Sequence, residues 1–491
     1  MIRSLSTLLL IAIACFQVYG QPGKDGNYTV PAANTVVNRY SQITANVAVG
    51  ATAVTISNIS DLGTLVAGDL IMLYQAQGAT ILTTDDNNYG SISSYNSAGI
   101  YEYAYVVSVA TNTITIACGT KNAYTATGRA QVVKIPQYNT LTIPTGTSIV
   151  ASKWNGATGG IVSVHVKGTL TNNGTVSEES TGFRGGKRDN LSSSTGANLI
   201  TTYRSSSPND GGEKGEGIAG YQADYDAAGM GGRYSRGAPA NGGGGGNGHN
   251  AAGGGGANGN NGQPWTGAGV MDPNPLYTAA WQLDPDYVAN GNALTNSSGG
   301  GRGGYTYGAN NADAFSTPLS HSDWGGDYRD PVGGRGGRPL ASSVENRIFF
   351  GGGGGAGDGN NDASNDGGDG GGIVYLISNT ITGSGTISAQ GQNGYNTTPN
   401  HNDAPGGGGG GGTIVIKAYS FTGQTLNANG GAGGNQLISN DESEGCAGGG
   451  GGGFIAVPTG GAGTCGVTNS YTYVYGTNGT SSSLSVTEFP P

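Results

Sequence analysis

GGGGGAGDGNNDASNDGGDGGGIVYLI, residues Gly351 to Ile377, sets runs of glycine directly against an alternating apolar segment. Glycine loses more backbone freedom on folding than any other residue, so such a run needs a compensating interaction. A flexible linker accounts for the glycine but not for its position against a strand. Linkers also mix glycine with serine, whereas these runs are nearly pure glycine.

The segment after the glycines recurs. GGIVSVHVKGTLTNNGTVS (159–177), GGIVYLISNTITGSGTISAQG (371–391) and GGTIVIKAYSFTGQTLNANGG (411–431) share one plan, and GGFIAV at Gly452 starts a degenerate fourth copy. Each copy has a glycine pair, an alternating apolar strand, a polar corner and a second short strand. Repeated strand–corner–strand units mark a solenoid, in which each coil buries its apolar side chains against the next. The fold class expected is therefore all-β: a small N-terminal β module followed by a parallel β-helix-like body. Polyglycine at Gly351, Gly406 and Gly448 precedes the later coils, and Gly242 and Gly253 open two more runs. Extended polyglycine adopts a left-handed helix of three residues per turn, and such helices can lie side by side with backbone paired to backbone. Packed glycine strands are the expectation.

The organisation that follows is a signal segment at 1–20, a β module at 28–150, a first coil at 151–182, a Gly/Tyr/Trp-rich insertion at 183–350, polyglycine-linked coils at 351–460 and a C-terminal strand segment at 461–491. Arg3, the apolar run Leu8–Ala14 and the small residue Gly20 have the anatomy of an export signal, and the run is too short to span a bilayer. Cys15 offers a rival reading as a lipidated cysteine. The chain is expected to be secreted or held at the outer cell surface. Charged residues are 11% of 491 and the formal net charge is −10, a balance that excludes nucleic acid as a partner. Export permits disulfides. Cys446 and Cys465 flank the last glycine block and form the preferred pair, leaving Cys118 over; all three as small buried residues is the alternative.

AGDLIMLYQAQGA (67–79), AGIYEYAYV (98–106), VVKIPQYNTLTI (132–143), WNGATGGIVSVHVKGTL (154–170), GFRGG (182–186), KGEGIAG (214–220), GGGGGNGHN (242–250) and RIFFGGGGGAGDGNND (347–362) resemble the N-terminal region of large glycine-rich surface proteins of the Bacteroidetes. The resemblance spans nearly all of residues 45 to 460. It implies a secreted, repeat-containing, adhesin-like protein associated with type IX secretion.

Candidate sites are few. Asp358, Asn360, Asp362, Asp366 and Asp369 fall at steps 1, 3, 5, 9 and 12 of a calcium loop, though step six is Ala363 and step twelve is aspartate. Calcium is the one cofactor expected. Trp265, Trp281 and Trp324 lie in the insertion and suit stacking on a surface glycan or another cell-surface protein; covering the glycine core is their alternative role. His165 alternates on a coil strand and reads as structural. No nucleophile elbow, zinc-protease helix or phosphate loop is present. The functional expectation is a non-catalytic structural or adhesive scaffold, with a carbohydrate-binding or carbohydrate-active β-helix protein as the alternative.

Overall fold

The structure, a computed structural model, describes residues 22–191, 201–227, 229–248, 250–260, 262–267, 270–271, 298–304, 332–360, 364–397, 403–435, 447–458, 474–475 and 480–484. The signal segment, Cys446, Cys465, Trp281, Trp324, Asp362 and His249 lie outside them.

The body is a parallel β solenoid. One long sheet stacks Thr140–Ile143, Ile161–Asn172, Ile373–Thr382, Thr413–Phe421 and Phe454–Pro458 in that spatial order. A second sheet stacks Ser148–Val150, Thr175–Ser177, Thr386–Ser388 and Thr425–Asn427. Every pairing within this body is parallel and the repeats are in register: Ile161 faces Ile373, which faces Thr413, which faces Phe454. The coil interior is filled by Val162, Val164 and Val166, then Val374 and Leu376, then Ile414 and Ile416, packed on Ile149, Val176, Ile387 and Leu426 of the second sheet. Alternation of apolar residues along each strand produces this inner row, and register is pinned because a one-residue slip would turn the row outward.

The coil strands that begin at Ile373, Thr413 and Phe454 each follow a glycine strand, and the order of the glycine strands is regular. Around residues 351–357 six neighbours are arranged. Gly351 and Gly354 donate to Gly371 and Gly368, at 2.8 and 2.9 Å; Gly352 and Gly355 donate to Ala257 and Gly254, at 2.9 and 2.8 Å; Gly353 and Ala356 donate to Glu216 and Glu213, at 2.9 and 2.8 Å. Three further strands donate to its carbonyls: Gly410 and Gly407 to Gly352 and Gly355, Gly243 and Gly246 to Gly353 and Ala356, and Phe183 and Gly186 to Gly351 and Gly354. Partners repeat every third residue on all six sides. This is a hexagonal array of three-residue-per-turn helices, whose buried N–H and C=O groups find partners in neighbouring strands rather than in a sheet. A Cβ on Gly353 would stand 1.9 Å from the Arg184 carbonyl oxygen, so only glycine fits.

The antiparallel N-terminal sheet is narrower than the 28–150 module expected from the sequence. Its order is Arg39–Gln42, Ala130–Ile135, Leu70–Gln75, Tyr101–Ala110, Thr113–Ile116 and Ala53–Thr55. Asn27–Thr29 and Thr35–Val36 instead pair in parallel with Thr140–Ile143 and Ser148–Val150 as a first coil of the solenoid. The repeat was hidden there because the whole antiparallel module lies between that coil and the next, at residues 140–150. One face of the module has its own core around Val54, Ile71, Leu73, Ile114 and Val132. The other face sets Leu70, Met72, Tyr74 and Val133 against Ile161, Ile373, Tyr375 and the Phe349–Phe350 pair.

Candidate functional site

A three-residue period has a consequence for side chains: positions i and i+3 in a glycine run share one side of the helix. In GGRGGRP, Arg335 and Arg338 are such a pair. Both guanidinium groups lie over the Trp265 ring, at 4.6 and 3.8 Å from its centroid. The indole Nε1–H donates to the carbonyls of Gly336 and Gly337, at 3.1 and 3.2 Å, which fixes the ring against the array. Arg335 reaches across to the carbonyl of Asn87 (2.7 Å), in a loop of the antiparallel module, and to that of Thr266 (2.7 Å). The same loop supplies Asp85, whose Oδ1 accepts from the backbone of Tyr203 and Arg204. Tyr203 sits beneath Arg236 and Arg335, with the cations 5.5 and 5.9 Å from its centroid.

Arg338 is 7% exposed. Its Nη1 donates to Ala238 O at 2.7 Å, while its buried Nη2 has no protein partner. Burial, with Arg335 adding repulsion, lowers its pKa to about 9. Trp265 and Arg335 are half-buried, so the cluster is reached from solvent at the junction of module and array. The arrangement offers an aromatic face and forked cations, the groups that recognise a planar anion attached to an apolar ring. Trp265 was legible as a candidate from its type; the arginines were not, although their spacing in a glycine run was the available signal.

The same period explains the acidic residues of the expected calcium loop. Asp366 and Asp369 are an i, i+3 pair on residues 364–372. Asp366 binds Lys187 Nζ (2.8 Å) and the Arg188 amide (2.7 Å). Asp369 pairs with Lys153 and accepts from the Gly185 amide at 2.7 Å. Asp358 is buried in another strand, accepting from the Asn250 amide at 3.1 Å, and Asn360 is exposed. Among the described residues no group of three His, Cys, Asp or Glu converges to hold a metal. Asp366 and Asp369 lie on one side of the glycine helix and are held by Lys187 and Lys153 and by the amides of Arg188 and Gly185.

The remaining buried charges are also fastenings. The Glu216 carboxylate accepts from Arg184 N and Nε (2.9 and 2.7 Å), Arg184 Nη2 (3.1 Å), Gln77 Nε2 (2.8 Å) and Trp154 Nε1 (3.1 Å), tying module, first coil and array together. Lys214 is fully buried and donates to the carbonyls of Tyr234 and Ser235, and burial pushes its pKa well down. Glu178, fully buried, is pushed up to about 8, and His165 is lowered to about 4, each by burial. Cys118 is exposed.

No family model and no curated protein matches the chain. Solved structures do. The Gp54 tailspike of Acinetobacter baumannii bacteriophage AP22, in complex with capsular saccharide, is 14% identical over 31% of this chain and 27% of its own, with a TM-score of 0.16. The tailspike gp49 of Pseudomonas phage LKA1 (12%, 31% of each chain, TM-score 0.15) and the tailspike gp61 of Pseudomonas phage phi297 (13%, 33% and 31%, TM-score 0.15) are similar to the same extent. The chain thus spans about a third or less of the length of each tailspike. The expectation of a non-catalytic protein is corrected by this finding: the solved structures it resembles are tailspikes, one holding a saccharide, and "non-enzyme" is dropped as a description of the chain.

Proposed function

We propose that the chain is an exported, rigid surface scaffold that binds an acidic glycan at the Trp265–Arg335–Arg338 cluster. The observation that carries this is the pair of guanidinium groups stacked over one half-buried indole, with a buried Arg338 Nη2 that has no protein partner. A sugar ring packs its apolar face against the half-buried indole, and a uronate or sulfate group takes the arginine fork. Two adjacent cations in a chain of net charge −10 repel each other, and an anion between them relieves that repulsion.

The test is calorimetric titration of the full chain with polygalacturonate and with uncharged dextran, with release of reducing ends followed in the same samples. Polygalacturonate is expected to bind in a salt-dependent manner, and Trp265→Ala to weaken it by about tenfold or more, the loss of roughly 1.4 kcal/mol or above. Equal binding of dextran, or unchanged binding by Trp265→Ala, would overturn the assignment.

A further inference from the structure

Asn155-Gly156 opens the turn that leads from the buried Trp154 into the coil strand Ile161–Asn172. Asparagine followed by glycine is the dipeptide whose own backbone nitrogen most readily attacks its side-chain amide, because no Cβ shields that nitrogen. Elsewhere in the chain this attack is blocked. After Asn173, Asn241, Asn258 and Asn393 the glycine N–H is spent: Gly174 donates to Ile143 O at 3.0 Å, Gly242 to Pro239 O at 3.0 Å, Gly259 to Gly452 O at 2.8 Å and Gly394 to Ala432 O at 2.8 Å. Among the described residues the Gly156 N–H donates to no group. Asn155 is exposed, so water reaches it.

The turn also prepares the side chain as an electrophile. Asn155 Oδ1 accepts from the amides of Ala157 and Thr158, each at 2.9 Å. A carbonyl held by two N–H donors is polarised, and the oxyanion that forms when a nucleophile adds to Cγ stays within the same two bonds. Arg184 supplies positive charge on the other side. Its Nη1 donates to Asn155 O at 3.3 Å, and its Nη2 stands 2.6 Å from the place a Cβ on Gly156 would occupy. A cation beside the Gly156 nitrogen favours the deprotonated, attacking form. The same guanidinium, with a φ of +96°, keeps residue 156 a glycine.

We infer that Asn155-Gly156 is a self-deamidation site. The Gly156 nitrogen gives its proton to solvent and bonds to Asn155 Cγ; the Cγ–Nδ2 bond breaks, and Nδ2 takes a proton from solvent and leaves as ammonia. The resulting succinimide is opened by water at either carbonyl, giving aspartate or isoaspartate. Water is the only co-reactant. The product sets a carboxylate beside Arg184, whose Nε already holds Glu216 at 2.7 Å, and isoaspartate adds one methylene to the backbone between Trp154 and the coil. The change is one-way and alters the charge at the junction of module, coil and array. It is independent of the acidic-glycan cluster.

The experiment is incubation of the full chain in mildly alkaline buffer, with tryptic digestion and mass spectrometry of samples taken over days. The tryptic peptide Trp154–Lys167 holds Asn155 as its one side-chain amide, so its conversion to the acid form reads this site alone. The same peptide, synthesised and incubated free, is the reference. Asn155 in the folded chain is expected to convert at least as fast as in the free peptide. It should also convert about tenfold or more faster than the exposed Asn173 and Asn393, as a barrier lower by roughly 1.4 kcal/mol would give. Ala157→Pro, which removes one donor to Oδ1, should slow conversion, and Ala157→Ser, which keeps it, should not. Conversion in the folded chain well below the free-peptide rate, Asn155 no faster than Asn173 and Asn393, or Ala157→Pro converting at the native rate would overturn the inference.

Discussion

Replacing Gly355 by alanine isolates the force that makes the array. Gly355 does not have a positive φ, so its backbone accepts an L-residue without strain. On backbone grounds alone the change should stabilise the chain by about 0.4–1 kcal/mol, by restricting the unfolded state. Packing opposes this. The new Cβ would lie 1.9 Å from the Gly244 carbonyl oxygen, where real contacts are not below 3.0 Å, so strand 241–247 must retreat by at least 1.1 Å. The bonds that join this strand to the one carrying Gly355 are Gly243 N–H to Gly353 O at 2.9 Å and Gly246 N–H to Ala356 O at 3.0 Å. Lengthened by that much, neither remains a hydrogen bond. Two buried backbone pairs broken at about 1–3 kcal/mol each, less the entropic gain, leave a net cost of about 1–6 kcal/mol, centred near 3. Gly50→Ala supplies the contrast: φ is +83° and nothing lies within 4 Å of the added methyl, so the cost is only the left-handed conformation, about 1–2 kcal/mol. Urea unfolding followed by circular dichroism measures both. If Gly355→Ala costs no more than Gly50→Ala, backbone-on-backbone packing is not what holds the array.

Three further outcomes follow from buried titratable groups. Glu178 has a folded pKa raised to about 8, so the folded state holds the proton more tightly than the unfolded state and stability falls as pH rises from the ordinary carboxylate range through about 8; Glu178→Gln should flatten that slope in thermal melts. His165, lowered to about 4, has the opposite sign, with stability gained as pH rises from about 4 to about 6.5, so its contribution is complete above 6.5 and the slope there is assigned to Glu178 by its removal in Glu178→Gln. Glu216→Ala strands the Arg184 cation and removes partners from Gln77 and Trp154, and should cost about 3–5 kcal/mol in urea unfolding, with early proteolysis between module and array.

The solenoid was visible in the sequence wherever a coil was uninterrupted. Val374, Leu376, Ile414 and Ile416 alternate within repeats about 40 residues apart, and alternation translates directly into an inner row. The first coil was not visible, because Thr29 and Thr142 are brought into register only after the antiparallel module between them has folded. Polyglycine announced backbone packing, but its period of three was not applied to the charged residues inside the runs. Asp366 and Asp369 stand at calcium-loop spacing, and in the array that same spacing faces Lys187 and Lys153. Arg335 and Arg338 were passed over for the same reason. Trp265 stood out by size, yet its partners Arg335 to Arg338 come from a glycine strand some 70 residues later, a proximity that only the assembled array creates.

Amide hydrogen exchange of the glycine runs is the most direct test of the architecture. The N–H groups of Gly352 to Gly355 and of Gly407 to Gly411 each donate to a neighbouring strand in the buried array. They should exchange only through global unfolding, as slowly as Val374 and Ile414 in the solenoid core, and with the same dependence on denaturant. Exchange of these glycines at the rate of an unstructured peptide, while the coil strands stay protected, would contradict the account and return the glycine runs to the status of loops.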